Sequence, residues 1–342
     1  MKACAKLSTF ACIVLLMASS FCAAQTSYTV TDLGVLNSNG ISVARAINST
    51  AEVTGAAAAN NSNVSEIFLY ENGAMTNLGT LGGPSGIGNG INKFGQVAGY
   101  SQNSSGAYRA FLSSGSTLID IGDLGGGSAV AYALNDLGAV VGSAVTAKLE
   151  NHPFLYRNGQ MIDLGTLGSS NNNWWNVASG VNNSGVVTGT SYDAQGNFFG
   201  FVWKSGKMTK MGTLGGFWSQ GYAINNKGQV TGLAYTKNGS GHAFIANCAT
   251  CPLKDLGTFA GNTSTVWGFA INDSGIVVGQ STFAGTYHAY VYSNGKIKDL
   301  NGMIPSGSGW VLIDAHGINA TGQIVGTGTH NGQEHAYMLT PQ

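Results

Sequence analysis

The residues able to do chemistry recur at fixed places. Four of the six histidines, His152, His242, His288 and His335, open near-copies of one motif, as in HPFLY, HAFI, HAYVY and HAYML. Asp32, Asp163 and Asp255 head a DLG motif, and Asp120 (DIG) and Asp299 (DLN) stand at the same place in their repeats. Imidazoles and carboxylates together suggest metal ligation or acid–base chemistry. Cys248 and Cys251, in NCATCP, suggest redox chemistry or a staple. Asp314 beside His316 is the one acid–base pairing outside the repeated slots worth testing. Five of the six tryptophans, Trp174, Trp175, Trp218, Trp267 and Trp310, suggest stacking on a flat, weakly charged ligand such as a sugar ring.

The elements that must carry these groups follow from internal repetition. Asn48, Asn92, Asn135, Asn182, Asn225, Asn272 and Asn319 each follow Ile, Leu or Val, at steps of 43 to 47 residues. Most head an N-x-x-G turn, as in GYAINNKGQVTG, where Gly supplies a positive φ; the first copy has Ala51 there. Each unit reads as four short strands with tight turns after the first and third, and nothing at helical period competes. Seven such units predict an all-β, seven-bladed β-propeller with four antiparallel strands per blade. The chain starts with a lone fourth strand, YTVTDLGVL, and finishes with a lone third strand, HAYML. The expectation is therefore a ring closed by the N-terminal strand completing the last blade, which leaves no free edge.

These blocks resemble the HAF-repeat family of extracellular bacterial proteins. The resemblance rests on HAF at 242–244, HAY at 288–290 and 335–337, the DLGTLGG-like runs and IN-x-x-G-x-V-x-G, and it covers essentially the whole mature chain. It implies export and a repeat architecture and carries over no established activity. The His slot holds Glu66, Arg109 and Phe199 in three repeats, so that His is not indispensable to every blade.

Export is also read from the residues. Lys2 and Lys6 precede an apolar run, Leu7 to Met17, and small residues lead to Ala24. That is the make-up of a signal peptide at 1–24, cleaved after Ala24, with 25–342 as a single propeller domain. The expected location is extracellular or periplasmic. Charged residues are sparse (9%) and balanced, with no basic stripe, which argues against nucleic acid or an anionic membrane surface as partner; with no other long apolar segment, no membrane insertion is expected. A monomer is expected.

Symmetry then weighs the chemistry. Equivalent histidines on separate blades are held far apart, so structural hydrogen bonds are expected and no metal. The repeated Asp and Asn are expected to satisfy turn backbone; Asn77 can imitate Asp, but Lys210 cannot, so that blade should differ. Cys248 and Cys251 lie between strands, where a hairpin disulfide is favoured over redox work. No cofactor and no catalytic residue is assigned.

The connection from the outer strand to the next inner strand varies most in length, and it carries the tryptophans and Phe217. Loops that vary on a rigid scaffold are where binding concentrates. Two and four residues before each Asn stand only Gly or Ala, read as crowding near the axis. The residue between is free: Arg45, Asn89, Tyr132, Ser179, Tyr222, Phe269 and His316. These seven should ring the mouth of the central channel on the variable-loop face. The candidate ligand-binding set is Trp174, Trp175, Phe217, Trp218, Trp267, Trp310, Tyr132, Tyr222, Phe269, His316 and Arg45. The expected function is non-enzymatic binding of an extracellular glycan or other polymer. A protein-interaction propeller with buried tryptophans, or a polysaccharide lyase or hydrolase built on Asp314 and His316, are the alternatives.

Overall fold

A computed structural model describes residues 27–37, 40–58, 64–168, 175–258, 264–283 and 285–342. The segment expected to be a signal peptide lies outside them. Seven four-stranded antiparallel sheets follow one another around a ring. Blades one to six occupy 41–79, 82–120, 125–163, 177–210, 215–255 and 266–299. The seventh combines Trp310–Ile318, Ile324–His330 and Gln333–Pro341 with the N-terminal strand Tyr28–Asp32. Tyr28 pairs with Pro341 and Asp32 with Tyr337, so the expected closure is what the structure shows. Each inner strand packs on its two neighbours all the way round. Among the described residues no helix is long and apolar enough to cross a membrane.

The core lies between blades. One aromatic of each third strand is fully buried: Phe68, Phe111, Phe154, Phe201, Phe244, Tyr290 and Tyr337. The repeated Asn does more than make its turn. The Asn225 side-chain oxygen accepts the N–H of Lys227 and of Gln229, and its Nδ2 donates to Asn272 O in the next blade. The same inter-blade bond recurs from Asn48 to Asn92, Asn135, Asn182 and onward, and Asn319 returns it to Asn48. Seven buried amides thus form a closed belt at one end of the channel. Ala51 holds the positive φ (65°) that glycine supplies in the other six turns.

The repeated His and Asp slots pair with each other. His152 meets Asp163, His242 meets Asp255, His288 meets Asp299 and His335 meets Asp32, through Nδ1 at 2.7–2.9 Å. Each Asp also caps the N–H two residues on, as Asp163 does for Gly165 and Asn77 does for Gly79. Arg109 with Asp120 replaces His–Asp in blade two. In blade four both partners change together: Lys210 lies over the Phe199 ring at 3.4 Å and pairs with Asp193. Cys248 and Cys251 are bonded at the turn between the third and fourth strands of blade five, where other blades have Asn-Gly or Ser-Gly.

Candidate binding site

All seven inner strands carry a β-bulge at the same place, between the two small residues that precede the Asn. The bulged residue is the free one. An extra residue on one strand is left out of the ladder and its side chain is re-aimed. Here the re-aimed set is Arg45, Asn89, Tyr132, Ser179, Tyr222, Phe269 and His316, and all seven line one cavity of about 890 Å³. The bulge also explains the last Gly of each repeat. It tips the Gln220 carbonyl onto Gly232, where a Cβ would sit 1.9 Å from that oxygen. The small residues flanking the bulge face the neighbouring blade rather than the axis: a Cβ on Gly221 would meet Thr188 Oγ1 of blade four at 2.4 Å.

The candidate aromatics divide. Trp175 and Trp267 join the cavity wall, beside Tyr132, Tyr222 and Phe269. Trp175 is exposed and Trp267 half-buried. Phe217 and Trp218 lie outside the wall and build a separate stack with Tyr235, Trp218 and Tyr235 centroids being 4.1 Å apart, and Phe198 packs on Trp218 at 4.5 Å. Trp310 is buried in blade seven, its ring flat on its cross-strand partner His330 at 4.7 Å and 2°. Trp174 lies outside the described residues. The single arc expected from sequence is therefore not what the chain builds. Phe217, Trp218, Trp267 and Trp310 sit on inner strands rather than in loops. The strand pairing starts earlier than the turn residues suggest, as Gly215 already faces Thr236.

Tyr100, Ser143 and Gln280, on second strands, also line the cavity. All three follow the last Gly of their repeats, a slot filled elsewhere by Ala56, Thr190, Leu233 and Thr327. That variation was the readable signal. Tyr108, exposed on blade two, completes an edge-on pair with Tyr100 at 5.5 Å.

Arg45 is the one formally charged residue on the wall among the described residues. Its Nη1 lies 2.8 Å from His316 Nε2. A guanidinium has no acceptor, so His316 must accept, which fixes the neutral Nδ1–H tautomer. Burial, reinforced by Arg45, pushes His316 down to about 3. Phe269 stacks on the same imidazole at 4.6 Å and 1°. Asp314 lies 3.7 Å from His316 and accepts the Thr327 N–H. Burial raises its carboxyl to about 6 against the lowering effect of Thr327 and Arg45. His316 is thus already bound to a cation and is a poor base at neutral pH. Asp123 is held by Arg109 and the N–H of Gly125.

The Asp314 shift has a testable sign. Its folded value of about 6 exceeds the usual unfolded value of about 3.9, so the folded state holds the proton more tightly. Stability falls as pH rises from about 4 to about 6. Asp314→Asn keeps an acceptor for Thr327 and is expected to stabilise the fold by about 2 kcal/mol at pH 7.5 and negligibly at pH 4. Urea unfolding at the two pH values measures this; equal effects at both would refute the assignment.

At the ring seam, Asp32 accepts from two imidazoles, His335 and His330. Burial would raise its carboxyl, but His335, the Gly34 N–H and His330 together outweigh it and hold it below the usual range.

No family model and no curated protein matches the chain. Solved structures do. The β-propeller domain of the Trilobed protease from Pyrococcus furiosus, described as having an open velcro topology, aligns with TM-score 0.58 at 13% identity, covering 92% of this chain and 97% of that one. Pyrococcus horikoshii acylaminoacyl peptidase aligns at TM-score 0.53 and 13% identity, over 91% of this chain and 53% of its own. A Mycobacterium tuberculosis puromycin-hydrolyzing peptidase aligns at TM-score 0.53 and 11% identity, over 84% and 48%. The chain spans about half the length of these two peptidases. At such identities the likeness is one of fold, and the fold it shows is the β-propeller.

Proposed function

We propose that this chain is an exported, HAF-repeat-like binding propeller whose ligand, a carbohydrate or other extracellular polymer, enters the aromatic cavity. One observation carries the reading. The inner-strand slot that differs from blade to blade is the bulged slot, and all seven of its residues meet in that cavity. A concave wall of tyrosine, tryptophan and phenylalanine with a few polar groups is the usual make-up of a small-ligand site. Arg45 adds one fixed positive charge, which favours acidic sugars over neutral ones.

The test is a glycan array followed by calorimetry on retained glycans. Trp267→Ala and Tyr222→Ala are expected to weaken binding about tenfold or more, the cost of removing a central aromatic anchor. Trp218→Ala, outside the wall, should leave it unchanged. Equal loss in all three variants, or none in any, overturns the site. A protein-interaction reading has one observation of its own: the Phe217–Trp218–Tyr235 stack, with Phe217 61% exposed. If Phe217→Ala abolishes partner binding while glycans are ignored, that reading replaces the first.

A further inference from the structure

In three blades the repeated Asp meets one imidazole: Asp163 with His152, Asp255 with His242, and Asp299 with His288. The last blade has the same pair, His335 with Asp32, and adds a second imidazole. His330 Nδ1 lies 3.0 Å from Asp32 Oδ2. The three ligand atoms all fall within 4.8 Å of one another. His330 stands outside the repeated His slot, at the end of Ile324–His330, so the repeat spacing gives no hint of it. The fold does not need it as a partner for Asp32, since His335 already fills that role as in three other blades. Its ring is held flat on Trp310, which fixes the direction of Nδ1. The three side chains keep 14–30% of their surface, so solutes reach them.

We infer that Asp32, His330 and His335 form a binding site for a divalent transition-metal ion, with Zn²⁺ the best match to two imidazoles and a carboxylate. The two Nδ1 atoms and one carboxylate oxygen supply three positions, and water takes the remainder. Tetrahedral zinc needs ligand atoms about 3.3 Å apart, from metal–ligand distances of about 2.0–2.1 Å. The Asp–His separations of 2.9–3.0 Å are already close to that, so the adjustment falls mainly on the imidazole pair. Each imidazole moves its proton from Nδ1 to Nε2 and stays neutral, freeing the Nδ1 lone pair. Asp32 comes from the first strand and both histidines from the last blade. The metal therefore clips the two ends of the chain together and binds only the closed ring.

The experiment is calorimetry and thermal unfolding of the mature chain with ZnCl₂, with CoCl₂ absorption to read the ligand field. The expected result is one ion per chain and a Tm rise of about 5 °C at saturating metal, reversed by EDTA. His330→Ala should abolish both the binding heat and the metal-dependent rise; loss of the ring that covers Trp310 lowers the metal-free Tm, so the readout is the difference in Tm with and without metal. If that variant fails to fold, His330→Gln serves in its place. His288→Ala, which breaks a two-group pair elsewhere, should bind as wild type does. No heat and no Tm rise with Zn²⁺ or Co²⁺, or binding that survives both His330→Ala and Asp32→Asn, overturns the site.

Discussion

Asn225→Ala is expected to lower stability by about 3 kcal/mol and Tm by about 5–10 °C. The substitution leaves the Gln229 N–H without its acceptor and takes from the Asn272 carbonyl one of its two donors, the Gly275 N–H remaining, in a place that is 4% exposed. A buried polar group so orphaned costs about 1–3 kcal/mol, and a protein of this size loses about 1.5–3 °C per kcal/mol. Asn225→Asp separates the two roles. It keeps the acceptor for the turn but turns the inter-blade donor into a second acceptor facing the Asn272 carbonyl. If the belt between blades is what the amide is for, Asp is as damaging as Ala. If only the turn matters, Asp is nearly silent. Thermal and urea unfolding of the two variants decides between them, and a loss below about 1 kcal/mol for Ala would contradict the belt altogether.

The second large effect is at the seam. Deleting residues 27–32 removes the strand Tyr28–Asp32 and leaves the strand Gln333–Pro341 with one edge bare. Tyr28, 6% exposed, packs with Met303, Trp310 and Leu339, and that cluster would open to water. The truncated chain is expected to lose cooperative unfolding at the wild-type temperature and to associate through the bare edge, a ready template for strand addition. Tyr28→Ala is the milder version, expected to cost about 3 kcal/mol, as large-to-small core changes do. Calorimetry and size-exclusion chromatography measure both. A truncated monomer with unchanged Tm would show that the closure is dispensable.

Much of this architecture was readable because each blade repeats the same solution. The period, the four strands, the blade number and the lone half-blades at the two ends all follow from where INNKGQVTG-like segments fall. The bulge was not readable. Gly221 and Ala223 suggested crowding at the axis, whereas the crowding is against the neighbouring blade. That Tyr222 and its six counterparts ring the channel was readable from their variation; that a bulge leaves them out of the ladder is seen only in the strand pairing. The constant spacing of the His and Asp slots was visible, yet nothing in it says that the two touch. The joint change to Phe199 and Lys210 was the clue, since independent positions need not change together. Trp310 misled for a different reason. Aromatics read alike in sequence whether they face solvent or stack on a cross-strand imidazole.

The seam also has a history in time. Ser27 and Gln342 are hydrogen-bonded across 315 residues of chain. Contacts between distant segments form late, and the loop they close is the whole molecule. Blades one to six are built from neighbouring stretches and can assemble in order as the chain is made. The seventh cannot, because its outer strand is synthesised first and its partner last. Closure of the ring therefore follows synthesis of Gln333–Pro341, the strand on which Tyr28–Asp32 pairs.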